Sequence, residues 1–536
     1  MILVLFLIVI TLYCLFKYVT ANKNFFEEQK LKYLKPKFGF GHTIWLIFRQ
    51  YTPADFIDSI YYSFPKEKLV GFYDMREPVY MPRDLDLLRQ IMVKDFDHFE
   101  DHDGIIESNT TSLFGKSLFI LSTNKWREMR ANLTPAFTGK KMRLMFELVV
   151  DCVKSIETLF IEQVKQQQPI RYEMKDFYAR YMADVIASCA FGAKTDSLRE
   201  RHNDFYVTGE SCVDFESPQF CLRMLLVRAL PRLTQLINFE IFPASVNRFF
   251  KSMVLDTMAE RQKKNIVRHD MINILMELRK ECLFRRLNEE THCNDTSFSE
   301  KNKLNNQQIK LKSIWQDDEI VSQCFVFFVA GFETTSTLLS FLSYELAINQ
   351  DIQQKLYAEI LEVNSTLSKD SEQGTALNYD ALSKMKYMDQ VLNETLRKYP
   401  PGTFTNRKCT KDYSVNLDGN TVTINKGQVL WIPIYSIQND PLHFENPHIF
   451  DPERFNEENK PKIKPYSFIP FGVGPRSCIG LRFANMAMKA ILFNILLNYS
   501  MQPYEKTQIP LKIVKCVVNW ATETGIHIEF VPRKAD

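Results

Sequence analysis

The chain of 536 residues has no Cys-x-x-Cys pair and no His-Glu-x-x-His or similar cluster among its nine histidines. These absences exclude a zinc ribbon and argue against a catalytic metal held by side chains alone. Its eleven cysteines (14, 152, 189, 212, 221, 282, 293, 324, 409, 478 and 516) are odd in number and scattered. They read as free thiols facing the cytosol and exclude a disulfide framework. There is no excess of charge, because 67 basic residues stand against 64 acidic ones. A net +3 gives no reason to invoke nucleic acid. No flavin or nicotinamide fingerprint appears, so a redox reaction here would draw its electrons from another protein. No internal repeat is apparent. The first sixteen residues carry no charge at all, and Lys17 and Lys23 follow them.

What is present is apolar material. Hydrophobic residues make up 45% and phenylalanine alone numbers 42, enough for one large core although the length by itself would suggest three or four domains. Residues 1–21 are long enough for an uncleaved signal-anchor, the basic residues after them placing the rest on the cytosolic side. Val19-Thr20-Ala21 keeps a cleaved signal peptide open as the rival reading. Residues 22–52 read as a mixed basic and aromatic linker, and 53–536 as a single catalytic domain. Within it, 69–81 alternates like a short strand or two. The patterns 142–192 and 212–276 are helical, and 281–312 is a polar surface loop. Residues 317–349 open on Asp317-Asp318-Glu319 and run helically for about 50 Å at 1.5 Å per residue. A hairpin turns at Asp418-Gly419 between 413–417 and 420–424, and the end of the chain is β-like at 513–520 and 525–531.

The stretch that organises the rest is Phe471-Gly472-Val473-Gly474-Pro475-Arg476-Ser477-Cys478-Ile479-Gly480, a glycine-studded loop running into an apolar helical pattern over 481–497. Cys478 sits where a helix start would stabilise a sulfur anion through backbone N–H groups and the helix dipole. Gly474 and Gly480 allow tight turns and the close approach of a flat cofactor, Phe471 would shield the sulfur, and Arg476 would meet an acidic group. The bland alternative is a buried cysteine in a glycine turn. Upstream, Ala330-Gly331-Phe332-Glu333-Thr334-Thr335 lies in the middle of the long helix. Ala330, Gly331 and Thr334 share a face there that can approach a flat cofactor, and Glu333 beside Thr334 is a proton-delivery pair. The alternative is that Glu333 faces water and Thr334 bonds the carbonyl of Ala330. Trp126 and Arg130 share a helix face, as do Glu394 and Arg397, and Pro452-Glu453-Arg454-Phe455 follows.

The loop resembles the haem-binding signature Phe-x-x-Gly-x-Arg-x-Cys-x-Gly of the cytochrome P450 superfamily, and the other motifs fall in that family's order. Lys94-Asp95-Phe96-Asp97-His98-Phe99 and Pro135-Ala136-Phe137-Thr138-Gly139 look like insect microsomal members related to vertebrate drug-metabolising forms. The resemblance implies a mainly α fold with a small β-rich lobe. It further implies haem b with Cys478 as the axial thiolate, propionate contacts from Trp126, Arg130 and Arg407, and a buried Glu394–Arg397–Arg454 network beneath the cysteine loop. The activity implied is insertion of one oxygen atom from O2 into a lipophilic molecule such as a xenobiotic, plant toxin, hormone or fatty acid. NADPH–cytochrome reductase is the implied electron donor, with cytochrome b5 as a second candidate, at the cytosolic face of the endoplasmic reticulum membrane. Lys125, Arg127, Lys140, Lys141 and Arg143 form a candidate docking strip, with an ordinary solvated surface as its alternative. Substrate contacts are expected from the 103–120 loop, the 205–250 region, Phe327, Ala330, Thr334 and Leu338. A haem-thiolate isomerase or dehydratase, and an idle haem or lipid carrier, are the rival readings, and the Glu333–Thr334 pair argues against both.

Overall fold

A computed structural model describes residues 24–36, 41–104, 112–237, 239–281, 315–369, 377–518 and 520–533, with isolated positions ahead of Asn24. Most of the expected anchor, nearly all of the 281–312 tract, and Ile105 and Ile106 lie outside the described residues. The chain is mainly helical. The helices that frame the site are α1 (Thr123–Leu133), α2 (Gly139–Lys165), α3 (Met174–Ile186), α4 (Asp204–Val213), α5 (Pro218–Ala229), α6 (Ala244–Lys264), α7 (Asp317–Ile348), α8 (Lys386–Lys398) and α9 (Leu481–Asn498). The strands are β1 (Leu69–Asp74), β2 (Glu77–Pro82), β3 (Ile170–Glu173), β4 (Thr405–Lys408), β5 (Tyr413–Leu417), β6 (Asn420–Ile424), β7 (Val429–Ile432), β8 (Tyr499–Gln502) and β9 (His527–Pro532).

The long central helix α7 starts where its sequence says it should. Gln316 and Glu319 form a reciprocal capping box, the Glu319 carboxylate accepting from the Gln316 N–H at 2.9 Å, and three acids fill the first turn. Although α7 is long and apolar enough to cross a membrane, most of its length is buried in the protein, as befits a core helix. It packs most extensively on α3 and also on α4 and α6, while α9 lies against α2. Gly209 of α4 permits the α7 contact, since a Cβ there would collide with the ring of Phe328.

Four strands form one sheet in the order β1-β2-β7-β4, with β2 and β7 parallel and the other pairs antiparallel. The expected hairpin is β5–β6, its turn at Asp418 and Gly419 with φ of +52° and +96°. A third sheet, β3-β9-β8, ties the end of the chain to the middle of it.

Four expectations about segments need correcting. The helical pattern over 142–192 is interrupted by β3, where Gln166-Gln167-Gln168-Pro169 ends α2 and Gln167 takes a positive φ of 55°. The second run, 212–276, is broken into separate helices, first after Val213, where Asp214 leaves the helical region. Of the two β-like stretches at the end, 513–520 contributes only an isolated bridge from Ile513 to Thr522. The described residues of 22–52 do not hang free as a linker. Phe26, Leu31 and Leu46 are buried with the four-stranded sheet in a smaller hydrophobic core distinct from the large helical one. Their apolar side chains gain more by joining that core than a solvated tether could offer.

Candidate active site

The cysteine loop closes on itself before α9 begins. The N–H of Cys478 donates to Phe471 O at 2.9 Å, and that of Ser477 to Gly474 O at 3.0 Å. Gly472 and Gly474 take φ of +70° and +76°. Gly474 is required by its neighbour, because a Cβ there would run into the carbonyl oxygen of Met92. By surface area Cys478 is exposed, yet the protein around it raises its thiol pKa chiefly by desolvation. Both hold for a group facing an enclosed cleft. The N–H groups of Gly480 and Leu481 and the charge of Arg130 oppose that rise, so the helix start acts on the sulfur as expected of it. Phe471 and Ile479 pack against the large helical core.

Beneath the loop, Glu394 and Arg397 are wholly buried and joined by two hydrogen bonds of 2.8 Å, Nε to Oε2 and Nη2 to Oε1. Arg454 adds a longer contact, Nε to Glu394 Oε1 at 3.4 Å, and the Asp451 N–H donates to the same oxygen at 3.0 Å. Sequence reasoning missed the residue that carries this network to the loop. Gln438 receives the Arg397 Nη1 on its carbonyl at 3.1 Å and the Ile469 N–H on its side chain at 2.9 Å. Gly472 then donates to Ile469 O at 2.9 Å. A lone glutamine in a short helix carries no signal that could have announced it.

Three guanidinium groups gather on the other side of the loop. Arg476 donates to the carbonyls of Glu100 and Leu121 at 2.7 Å each, and the acids that act on it are Asp101 at 3.6 Å and, more weakly, Glu100. Its guanidinium stacks 4.1 Å from the Trp126 ring. Arg407 is buried with its Nε unpartnered among the described residues, and its Nη1 donates to Asn406 O at 2.7 Å. Desolvation lowers both arginines to about 9, with Arg407 further depressing Arg476. Arg130 is half-buried and is lowered by desolvation, with the Cys478 sulfur as the compensating influence. His102 joins this group unforeseen, its Nδ1 at 3.1 Å from Asn406 Oδ1 and 3.2 Å from Arg407 Nη1. So much buried positive charge with so little acid nearby fits a partner carrying carboxylates, since unpaired buried ions are costly.

On α7, Ala330 and Thr334 are exposed in an otherwise mostly buried helix. Thr334 Oγ1 donates to Ala330 O at 2.6 Å, so the bland alternative for the hydroxyl is realised in this conformation. Gly331 does not share the open face. A Cβ there would stand 3.2 Å from Ile186 Cδ1, so the glycine serves the α7–α3 packing. Glu333 turns aside to Lys175 of α3, which the sequence did not point to, at 2.7 Å. Lys175 also donates to Ser336 Oγ at 2.9 Å and Thr337 Oγ1 at 2.7 Å, and burial lowers its pKa against the pull of Glu333. Leu338, expected to meet substrate, is buried one turn beyond Thr334, whereas Phe327 is half-buried against Phe137 at 5.5 Å.

The basic strip is largely neutralised. Arg127 forks onto Glu100 at 2.9 and 2.7 Å, Lys141 meets Glu277 at 3.3 Å, and Arg143 meets Asp380 at 2.8 Å. Lys125 and Lys140 remain exposed.

A helical body crossed by one central helix, small sheets to the side, a glycine-framed cysteine ahead of a helix and an accessible alanine–threonine face on the central helix fit a haem-thiolate enzyme. The chain belongs to the cytochrome P450 family, whose model matches residues 36–524, and its activity is that of a monooxygenase. The family uses haem with a cysteine thiolate as axial ligand, together with O2, a lipophilic substrate and a redox partner. Among its relatives, "Probable cytochrome P450 9f2" of Drosophila melanogaster is 37% identical over 97% of both chains. "Cytochrome P450 9e2" of Blattella germanica is 37% identical over 95% of this chain and 94% of its own. "Cytochrome P450 6k1" of the same cockroach is 32% identical over 97% and 95%.

Proposed function

We propose that this chain is an endoplasmic reticulum monooxygenase anchored by residues 1–21, with the domain that follows on the cytosolic side, and that Cys478 is its axial thiolate. The observation that supports this most directly is that Cys478, Ala330 and Thr334 are accessible residues on otherwise well-buried elements, with Cys478 close to arginines that have few acids around them among the described residues. Trp126, Arg130, Arg407 and Arg476 would receive the carboxylates of haem, and Phe471, Gly474 and Gly480 would shape the loop around the sulfur. Haem supplies the oxygen chemistry when bound. Glu394, Arg397 and Arg454 keep the loop in place from below.

The residues of α7 have a division of labour. Thr334 presents a hydroxyl to the cleft and can exchange its bond with Ala330 O for one to a bound molecule. Glu333 holds a proton-exchanging carboxylate one residue away, and Lys175 fixes where that carboxylate points. Electrons would come from NADPH–cytochrome reductase, with cytochrome b5 as a second donor. Lys125 and Lys140 are the members of the basic strip still suited to meeting an acidic flavoprotein. The aromatic lining at Phe327 and Phe137 suits lipophilic substrates, among which xenobiotics, plant toxins, hormones and fatty acids all qualify.

The test is the absorption spectrum of the dithionite-reduced, carbon monoxide-treated protein. A strongly red-shifted haem band that disappears in Cys478→Ala is expected. A histidine-type band in folded wild-type protein would sink the assignment.

A further inference from the structure

The cationic group beside the cysteine loop contains one member whose charge is not fixed. We infer that His102 is a haem-carboxylate ligand that becomes protonated as the cofactor binds, so that this enzyme takes up a proton with its haem. The inference rests on the reading that Arg407 and Arg476 receive those carboxylates.

The argument begins with Asn406. Its Nδ2 donates to Asp103 O at 3.0 Å and its Oδ1 accepts from the Asp103 N–H at 3.2 Å, which fixes the orientation of the amide. That same Oδ1 lies 3.1 Å from His102 Nδ1 and calls for a proton on it, although Arg407 Nη1, a donor, stands 3.2 Å from the same nitrogen. The same Nη1, a donor only, also lies 3.4 Å from Nε2, where it can use a lone pair without opposing a second N–H. The neutral ring is therefore an Nδ1–H tautomer with an acceptor at Nε2. A carboxylate is also an acceptor, and a ring of this tautomer can meet it only by gaining a proton at Nε2.

The surroundings decide when that happens. Without a carboxylate the imidazole is held well below its ordinary pKa by desolvation, then by Arg407 of β4 and Arg476 of the cysteine loop. The nearby acids each have another partner, although Asp101 also stands 3.6 Å from Arg476. Asp103 pairs with Arg228 of α5 at 2.9 Å, Glu100 with Arg127 at 2.7 Å, and Asp101 accepts from the Thr123 N–H at 2.6 Å. On its remaining side the ring stacks on Phe119, centroids 4.9 Å apart. Carboxylates arriving in the socket cancel the two guanidinium charges and supply the missing acceptor, so both opposing electrostatic causes reverse together. The orphaned Nε of Arg407 points to the same unmet demand.

The sign follows by linkage. Between the depressed pKa without haem and the raised one with it, the holoenzyme holds a proton that the haem-free protein lacks. Haem retention is then strongest at low pH and weakens as pH rises through the holoenzyme value, by up to tenfold per pH unit.

The experiment uses the full-length, detergent-solubilised holoenzyme and follows haem transfer to excess apomyoglobin between about pH 6 and about pH 8.5, which spans the imidazole range. Wild-type release should accelerate several-fold across this range. His102→Gln should release faster throughout with little pH dependence, and His102→Arg, bearing a permanent charge, should release slowly and evenly. Identical pH profiles for wild type and His102→Gln, or a wild-type profile retained by His102→Arg, would overturn the inference. Arg407→Gln separates the two levels of the argument. Faster release there with an unaffected His102→Gln refutes only the histidine's part, whereas unchanged release from Arg407→Gln removes the socket itself.

Discussion

Replacing Arg397 with methionine would remove the group that neutralises Glu394, and the structure sets the scale of the result. Both side chains have no exposed surface and share two hydrogen bonds of 2.8 Å. After the substitution Glu394 keeps a 3.4 Å contact to Arg454 and one backbone N–H, too little to solvate a buried carboxylate. Breaking one side of such a pair costs about 3–5 kcal/mol, a large share of the roughly 5–15 kcal/mol by which a domain is stable. Because Gln438 relays the network to Ile469, the loss should also loosen the cysteine loop and lower haem occupancy. Urea unfolding of the ferric protein followed by tryptophan fluorescence, with the haem-to-protein ratio measured in parallel, reads both effects. The double variant Glu394→Gln/Arg397→Met, which leaves no uncompensated charge, should recover at least about 1 kcal/mol of the loss. A single variant costing less than about 1 kcal/mol, or a double variant less stable than the single, would refute the reasoning.

Other expectations concern chemistry and conditions. Thr334→Ala should release peroxide at the expense of product when NADPH consumption and product are measured together, and unchanged coupling would remove the hydroxyl from proton delivery. Lys175→Met should lower coupling less than Thr334→Ala does, because it frees the Glu333 carboxylate from its anchor without removing it, and equal losses would place Lys175 nearer the chemistry. Gly474→Ala forces a Cβ into Met92 O at positive φ, so haem-loaded protein should fall sharply in yield, and a normal haem ratio would contradict the packing described. Asp58 is raised to about 6, first by desolvation, while it accepts from Ser436 at 2.5 Å. Its proton is held more tightly in the folded state, so stability falls as pH rises from about 4 to about 6 and the penalty is complete above that. Asp58→Asn should therefore gain on the order of 2 kcal/mol at about pH 7.5 and little at about pH 4.5, checked by urea midpoints at both values.

The central helix and the β5–β6 hairpin were legible because their signals are local. Acidic capping at 317–319 and an Asp-Gly turn act over four residues, and the structure places both where the sequence does. The Glu394–Arg397–Arg454 network was legible because its spacing is distinctive, as was the glycine-framed place of Cys478 ahead of a helix. Lys175, Gln438 and His102 were not, since each is an unremarkable polar residue until folding brings α3 to α7, the helix after β7 to α8, and residues 101–104 to β4. Gly331 and Gly474 were legible as positions but not as roles. A small residue says that something comes close, and only the fold says that the visitor is Ile186 or Met92.

The cysteine loop straddles the boundary between the two cores. Ile469 is buried in the smaller one and Val473 packs against it, while Phe468, Phe471 and Ile479 pack on the larger. The sulfur therefore belongs to neither body alone, and its position is a joint coordinate of both. Any solvent, temperature or substitution that lets one core slip relative to the other registers first as a displaced sulfur, before either core has melted. In this enzyme the colour of the bound pigment is thus a strain gauge for the whole chain, and its fading should precede loss of helix on heating.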